Sequence, residues 1–258
     1  MTRREARRSP HDASEAARPQ VHFPGLEAIR ALAASMVVGH RVASLAGPRA
    51  GLVATPAEVM DAGVAVFFVL SGFLLFAPWV KAAAQGAPSP SVRRYAWHRV
   101  RRIMPAYAVT VVAAYLLYHV RSAGPNPGHT WEGLFRNLTL TQIYTDNYLY
   151  SFLHQGLTQM WSLAVEVGFY ITLPLMAYLL LVLLCRRRWR PGLLLTGLAG
   201  LAMVSPAWLI LVHTTDFLPD GSRLWLPGYL AWFVGGMLLA ALQPLGVRAY
   251  AMACVPLA

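Results

Sequence analysis

The sequence predicts an all-α fold, a multi-pass transmembrane helical bundle with six complete spans and the start of a seventh. Composition is the first reason, because 57% of the 258 residues are hydrophobic and only 13% are charged, against about 25% charged in a typical soluble domain. Apolar segments of near-membrane length recur along the chain. Basic residues gather at the ends of alternate segments, which is typical of a membrane protein with a fixed orientation.

Each apolar segment is predicted as a helix, because roughly 20 apolar residues cross the hydrocarbon core of a bilayer. The segments cover residues 26–44, 62–80, 105–120, 160–185, 192–212 and 224–243, and a seventh begins near Val247. The third segment is short, so we expect it to extend into its flanks or to tilt. Segment 121–158 contains the turn-forming run PNPG and is expected to form a structured external loop or a re-entrant piece.

The distribution of arginine predicts the orientation of the bundle. Residues 1–25 are polar and basic, and we expect a disordered cytoplasmic tail there. This orientation also puts segments 81–104, 185–191 and 244–248 inside, and together with the tail they carry most of the 22 lysines and arginines. The positive-inside rule thus accounts for the net charge of +11. We therefore expect a bilayer partner, the cell (inner) membrane, and no nucleic-acid partner.

Three of the ionisable residues inside apolar segments are candidate functional residues, because such groups are costly at membrane depth. Arg30 and His40 lie in the first segment, and Glu166 lies in the fourth. A histidine exchanges protons near neutral pH, so His40 is a candidate base. Other interpretations stay open: His40 can face water at the interface, Arg30 can pair with Glu27 or extend to the inner surface, and Glu166 can bind a neighbouring helix.

Two further runs carry polar residues of interest. The run RRYAWHRVRRIMPAY at 93–107 is either a positive-inside anchor or a phosphate site, because guanidinium groups bind phosphates through paired hydrogen bonds. Pro105 is expected to open the helix that follows. In GVAVFFVLSGFLLF at 63–76, Ser71 with Gly72 predicts close helix packing. A nucleophilic Ser71 would need an adjacent base, and none is near it in sequence.

Four motifs together resemble the membrane acyltransferase 3 family. In chain order they are LEAIRALAASMVVGH, GVAVFFVLSGFLL, RVRRIMPAY and WSLAVEVGFY, and LPGYLAWFVGGMLLA fits a later helix of the family. The resemblance implies one transmembrane acyltransferase domain over residues 26–258. It also implies that this domain is incomplete at its C-terminus, because the family has further spans.

The resemblance implies an enzyme that moves an acyl group, typically acetyl, from acyl-CoA to a hydroxyl and needs no metal. The acceptors of the family include cell-envelope glycans, lipids and secreted natural products such as macrolides. On this pattern His40 matches the essential histidine and Glu166 the conserved acid. Arg99 and Arg102 match the paired arginines that would bind the donor, and Arg30 matches the basic residue of the first helix.

This sequence departs from the family pattern at two places. Arg30 and His40 are ten steps apart, one fewer than in the family, which turns Arg30 about 80° away from the face of His40. Val167 and Gly168 stand where the family has an acid and a glutamine after the conserved acid. Two other functions stay open: a transporter or exporter subunit for glycans or lipids, and an inactive fragment.

Overall fold

The computed structural model describes residues 24–46, 62–121, 126–145, 154–215 and 218–246, and within these ranges it is helical and has no β-strand. The helices are α1 (Pro24–Ala46), α2 (Ala62–Ala84), α3 (Val92–Val120), α4 (Trp131–Leu138), α5 (Met160–Ala177), α6 (Pro191–Ala202), α7 (Val204–Thr214) and α8 (Leu226–Leu242). Shorter turns are a π-helical continuation of α5 (Tyr178–Leu184) and 3₁₀ turns at Gln155–Leu157, Asp220–Leu224 and Gln243–Leu245. Nearly all of the predicted tail, and the predicted seventh span, lie outside the described residues.

Five helical stretches within the described residues are long and apolar enough to cross a membrane. They are α2, α3, α5 with its π-helical continuation, α6 together with α7, and α8 with its flanking turns. Helix α1 is long enough at 23 residues, but Glu27, Arg30, His40 and Arg41 make it less apolar. The all-α, multi-pass class is therefore confirmed, whereas the count of six spans and a seventh is not.

Helix α3 begins much earlier than the sequence predicted. Ser91 caps its N-terminus, accepting a hydrogen bond from the backbone N–H of Arg94. The prediction that Pro105 opens this helix is wrong, because Pro105 lies inside it. Arginine is a good helix former, and membrane helices tolerate proline because neighbouring groups satisfy the freed backbone carbonyl. The basic run is therefore helical and continuous with the span, and the predicted inner segment 81–104 reduces to a short link after α2.

Helix α8 is the centre of the bundle, packing against α2, α5, α6 and α7. Phe233, Val234 and Met237 on α8 are completely buried. The ring of Phe233 stacks on Phe68 of α2 at 4.5 Å and on Phe169 of α5 at 4.1 Å. Since such stacking adds to the free energy gained by burying the rings, these aromatic contacts fix α2 and α5 on the two sides of α8.

Two glycines let α2 and α8 approach each other closely. A Cβ atom at Gly72 would overlap the backbone carbonyl of Phe233, and one at Gly236 would overlap the carbonyl of Val69. The close packing predicted from the Ser-Gly pair is confirmed. Because α2 is held this tightly against α8, neighbouring Ser71 is buried where α2 faces α5.

The described part of segment 121–158 is structured, as the sequence predicted. Helix α4 packs on α3, and the hydroxyl of Tyr107 donates a 2.6 Å hydrogen bond to the carbonyl of Asn137 at the end of α4. The indole N–H of Trp225 donates to the carbonyl of Ile143 at 2.9 Å. These bonds tie the segment to α3 and to the residue that precedes α8.

Candidate active site

Glu166 lies in the first half of α5 and accepts two hydrogen bonds on one carboxylate oxygen. The donors to its Oε1 are the hydroxyl of Ser71, on α2, and the hydroxyl of Tyr170, one turn further along α5. Residues four apart on a helix lie on the same face, so Tyr170 is well placed for this bond. Oε2 of Glu166 has no hydrogen-bond partner among the described residues, so one oxygen stays available to a ligand.

Helix α3 brings Arg99 beside the same pair. The guanidinium carbon of Arg99 lies 5.9 Å from the ring centroid of Tyr170, close enough for a cation–π contact. The hydroxyl of Tyr95, one turn earlier on α3, donates to the backbone carbonyl of Tyr170 at 3.2 Å. Nε of Arg99 is buried and has no hydrogen-bond partner among the described residues. An unsatisfied buried donor is costly, so this N–H is a candidate for binding a ligand oxygen.

A groove of about 330 Å³ runs between α3 and α5 beside Arg99. Apolar residues dominate its walls, and Arg99, Tyr95 and Tyr170 are its polar members. Small-molecule sites have typical volumes of about 300–1,000 Å³ and few polar groups in an apolar lining. This groove fits that description and can accept an elongated, mostly uncharged ligand with an anionic or carbonyl oxygen at Arg99.

The position of Tyr170 shows how deep this cluster lies in the bundle. Tyr170 follows the start of the Met160–Leu184 span by ten residues and precedes its end by fourteen, which is about 15 Å and about 21 Å of helix. Arg99 packs on Tyr170 and is therefore near the middle of this span. The sequence places Arg99 in the predicted inner segment 81–104, and the structure places it within the continuous helix α3.

The structure brings only some of the predicted site residues close together. Arg99 and Glu166 meet around Tyr170, whereas Arg102 is exposed on α3 and Arg30 is half-buried on α1. Among the described residues no hydrogen bond or ion pair connects Arg30 or Arg102 to the cluster. Their predicted contribution to donor binding therefore stays a prediction.

His40 has a described backbone in α1, but its side chain lies outside the described residues. Helix α1 contacts α2 where Ala33 meets Gly63, eight residues or about 12 Å before Ser71. This packing gives no support to a direct contact between His40 and Glu166.

Sequence reasoning missed the tyrosines of the site and the role of Ser71. Tyr170 was detectable, since it follows Glu166 by four residues on a predicted helix. The sequence indicates only packing or a nucleophile for Ser71, because its partner Glu166 lies 95 residues away. Within the described ranges, no group of three histidine, cysteine, aspartate or glutamate side chains is arranged to bind a metal ion.

Comparison with known proteins gives one family and two curated relatives. The acyltransferase domain of the acyltransferase 3 family matches residues 23–255. The chain is 28% identical over 222 residues to the peptidoglycan O-acetyltransferase OatA of Listeria monocytogenes, covering 79% of this chain and 31% of that protein. It is 31% identical over 127 residues to the acyltransferase MdmB of Streptomyces mycarofaciens, covering 49% of this chain and 30% of that protein. No solved structure matches the chain significantly.

The chain thus spans about a third of the length of the curated relatives it matches. The family match nevertheless covers nearly all of the chain, including the four motifs that carry the resemblance. The apolar helical stretches of the fold agree with a multi-pass membrane domain. The resemblance is confirmed, and the chain belongs to the acyltransferase 3 family.

Proposed function

We propose that this chain forms the acyl-transferring part of an integral-membrane O-acyltransferase. The enzyme would move an acyl group, acetyl in the simplest case, from acyl-CoA to a hydroxyl of a cell-envelope glycan, a lipid or a secreted natural product. Family membership supports the reaction class. The observation that carries the proposal is the Arg99–Tyr170–Glu166–Ser71 cluster. Arg99 and Tyr170 line an apolar groove, Nε of Arg99 is a buried donor without a described partner, and Tyr170 connects this groove to the carboxylate of Glu166.

The groove suits an acyl-CoA donor because such a donor combines phosphates, amides and a thioester on one long arm. Guanidinium groups bind phosphate and carbonyl oxygens through charge-assisted hydrogen bonds. Arg99 would bind the donor beside the groove, and exposed Arg102 and half-buried Arg30 are proposed to contribute to binding its phosphates. The free Oε2 of Glu166 would accept an N–H of the uncharged arm. Glu166 and Arg99 would then bind the same donor at two points and fix its position.

His40 is proposed as the general base of the transfer. It would take the proton of the acceptor hydroxyl while the oxygen attacks the thioester carbonyl. The new carbon–oxygen bond replaces the carbon–sulfur bond, and the imidazolium returns the proton to the leaving thiolate. The separation between His40 and the Arg99 cluster fits a donor whose reacting carbonyl lies at the end of its long arm. In this scheme the donor crosses from the arginines towards the end of α1 that carries His40.

The membrane setting is part of the proposal. The arginine distribution supports a cytoplasmic N-terminus in the cell (inner) membrane, with the donor reached from the cytoplasm. The acceptor would then meet His40 at the opposite end of the bundle. This arrangement separates donor and acceptor across the bilayer, as an enzyme that modifies exported or envelope molecules requires.

The proposal is tested by incubating proteoliposomes that contain the full chain with radiolabelled acetyl-CoA and hydroxylated acceptors. We expect label to appear in ester form, and we expect His40→Ala to abolish the esters while the protein still accumulates in the membrane. Full activity of this variant would remove the catalytic assignment of His40. Movement of an unmodified glycan or lipid without ester formation in the wild type would favour the transporter alternative.

A further inference from the structure

A cluster of aromatic and imidazole rings lies at the end of α3 opposite the basic run. The ring of Tyr115 stacks on His129 at 5.1 Å and on His154 at 4.4 Å. His119 stacks more loosely on His129 at 6.2 Å. These rings border a groove of about 540 Å³ between α3 and α4, which we name the histidine groove. None of these residues belongs to the Arg99 cluster.

A chain of hydrogen bonds fixes the protons of the two inner histidines. The backbone N–H of Gly156 donates to Nδ1 of His154 at 3.2 Å, so that nitrogen carries no proton and neutral His154 carries its proton on Nε2. Nε2 of His154 lies 3.3 Å from Nδ1 of His129, and donation along this line leaves the proton of neutral His129 on Nε2. Burial, reinforced by the neighbouring His129, lowers the pKa of His154 from 6.5 to about 4, so it is neutral at physiological pH.

His129 therefore presents a fixed N–H donor to the groove. It is half-buried and lines the groove, and its Nε2 has no hydrogen-bond partner among the described residues. The hydroxyl of Thr130 accepts the N–H of Gly133 at 2.9 Å, which leaves its own proton free to donate beside His129. Hydrogen-bond donors on two consecutive residues can bind the hydroxyl or ring oxygens of a sugar.

The rest of the lining selects for an uncharged, partly apolar ligand. Val112, Leu116 and Leu134 form an apolar wall, and Trp131 offers a flat, exposed indole. Among the described residues, the lining contains no carboxylate, lysine or arginine. Ligand sites commonly pair such an apolar wall with a few placed donors, and aromatic faces suit flat apolar surfaces.

The histidine groove lies at the end of the bundle where α5 begins. Tyr115 follows Arg99 by sixteen residues of continuous helix, which is about 24 Å. Arg99 packs beside Tyr170 near the middle of the α5 span, whereas Tyr115 stacks on His154, which precedes that span. The groove is therefore separate from the Arg99 cluster along the bundle.

We propose that the histidine groove binds the sugar of an uncharged amphipathic glycoside, with a sugar oxygen accepting the N–H of His129 and the apolar portion lying against Val112 and Leu116. The inference rests on the proposed function in one respect, that this glycoside is the hydroxylated acceptor. It narrows the acceptor from any hydroxyl compound to a neutral amphipathic glycoside.

The test uses the full chain in nanodiscs of neutral lipid, with isotope-labelled histidine. Nuclear magnetic resonance of the free protein should show His129 and His154 both protonated on Nε2, a result that needs no variant. Titration with octyl β-D-glucopyranoside should shift the His129 signals and spare those of His213, which lies on α7. Octyltrimethylammonium, with the same chain and no oxygen, should leave His129 unshifted. Equal binding of both amphiphiles, or of neither, would overturn the proposal.

A pair of variants distinguishes the contribution of the His129 N–H to binding from the contribution of its ring stacking. His129→Phe keeps a ring beside Tyr115 and should weaken octyl glucoside binding about tenfold, the usual effect of losing one hydrogen bond to a ligand. His213→Phe makes the same change outside the groove and should leave the affinity unchanged. Unchanged affinity in His129→Phe would overturn the site.

These experiments distinguish failure of the proposed glycoside site from failure of the proposed acyltransferase function. Acyl transfer without glucoside binding at His129 would reject the groove and keep the enzyme. Glucoside binding in a chain that transfers no acyl group would keep the groove and reject the proposed function.

Discussion

Arg99 combines a permanent charge with a buried Nε from which no described residue accepts a hydrogen bond. In the sequence, Arg99 is one of several arginines in a basic run, and nothing distinguishes it from the others. Packing makes the difference, because Arg99 faces Tyr170 on α5 while Arg101 lies over the ring of Trp97 on its own helix. At the scale of single residues, Arg99 rather than Arg101 is therefore the proposed donor-binding residue.

Arg99→Gln should weaken the binding of acetyl-CoA about ten- to a hundredfold, because a charge-assisted hydrogen bond is worth roughly 1.5–3 kcal/mol. Arg101→Gln removes the same charge from the same helix and should change the affinity by less than about threefold. Direct binding to the protein in nanodiscs measures both values. Equal losses in the two variants would show that only the overall basic charge of α3 matters.

Acid should destabilise the segment around His154. The pKa of His154 is about 4 when folded and 6.5 unperturbed, so between these values the unfolded segment binds more protons than the folded one. The stability that depends on neutral His154 is therefore fully present above about pH 6.5 and is lost as the pH falls towards 4. Hydrogen exchange across residues 126–145 should accelerate between pH 7 and pH 5 beyond the intrinsic effect of pH.

His154→Phe is the control for this pH effect, because it keeps a ring beside Tyr115 and Tyr118 but cannot take up a proton. Its exchange should depend less on pH than that of the wild type. An identical pH dependence in both proteins would show that another group is responsible.

The candidate site was only partly predictable from single residues. Glu166 was found because a carboxylate inside an apolar segment is costly, and that argument needs no knowledge of its neighbours. Ser71 was not identified as its partner, because the contact joins two helices whose relative rotation is set by the α2–α8 packing. The histidine pair was not detected either, since His129 and His154 are separated in sequence by 25 residues and meet only after α4 folds onto α3.

At the scale of helices, the contact between α2 and α8 is the tightest constraint on the bundle. Gly236 faces the backbone of α2, whereas the adjacent Gly235 faces open space within the described residues. Small residues at such crossings let membrane helices pack through direct backbone contact. Since Ser71 and Phe233 both lie at this crossing, its geometry also sets the position of the Glu166 cluster.

Gly236→Ala should destabilise the protein by about 1–3 kcal/mol or more, because the added methyl group must displace backbone rather than a flexible side chain. Gly235→Ala is the matched control and should be neutral or stabilising by up to about 1 kcal/mol, the usual gain in helix propensity. Thermal unfolding in detergent measures both. A stable Gly236→Ala protein would contradict the close crossing.

Helix type was predictable from the sequence, but helix limits were less so. The apolar segments located α2, α5 and α8 closely, because lipid-facing helices must be long and apolar. The start of α3 was misplaced because the hydropathy pattern reports the apolar part of a helix, and this helix continues through ten residues rich in arginine. Helical continuity across Pro105 depends on tertiary packing, which the pattern does not contain.

For the whole molecule, the proposed function places donor and acceptor in two regions along the bundle. The proposed donor region surrounds Arg99 and Glu166, and the proposed acceptor region is the histidine groove. The two are connected by α3, which contributes Arg99 to one region and Tyr115 to the other. This division requires that the donor cluster be necessary for transfer even though it is remote from the proposed base.

The measurement that tests this claim most directly is acetyl transfer from radiolabelled acetyl-CoA in proteoliposomes, comparing wild type with Glu166→Gln. Misplacing a bound reactant by about 1 Å can cost a hundredfold in rate, so we expect at least about a hundredfold loss. Glu132→Gln is the matched control, because Glu132 forms a 2.7 Å ion pair with Arg136 on the exposed face of α4, and it should retain wild-type activity. Wild-type transfer by Glu166→Gln, in a protein that is folded and inserted, would contradict the account.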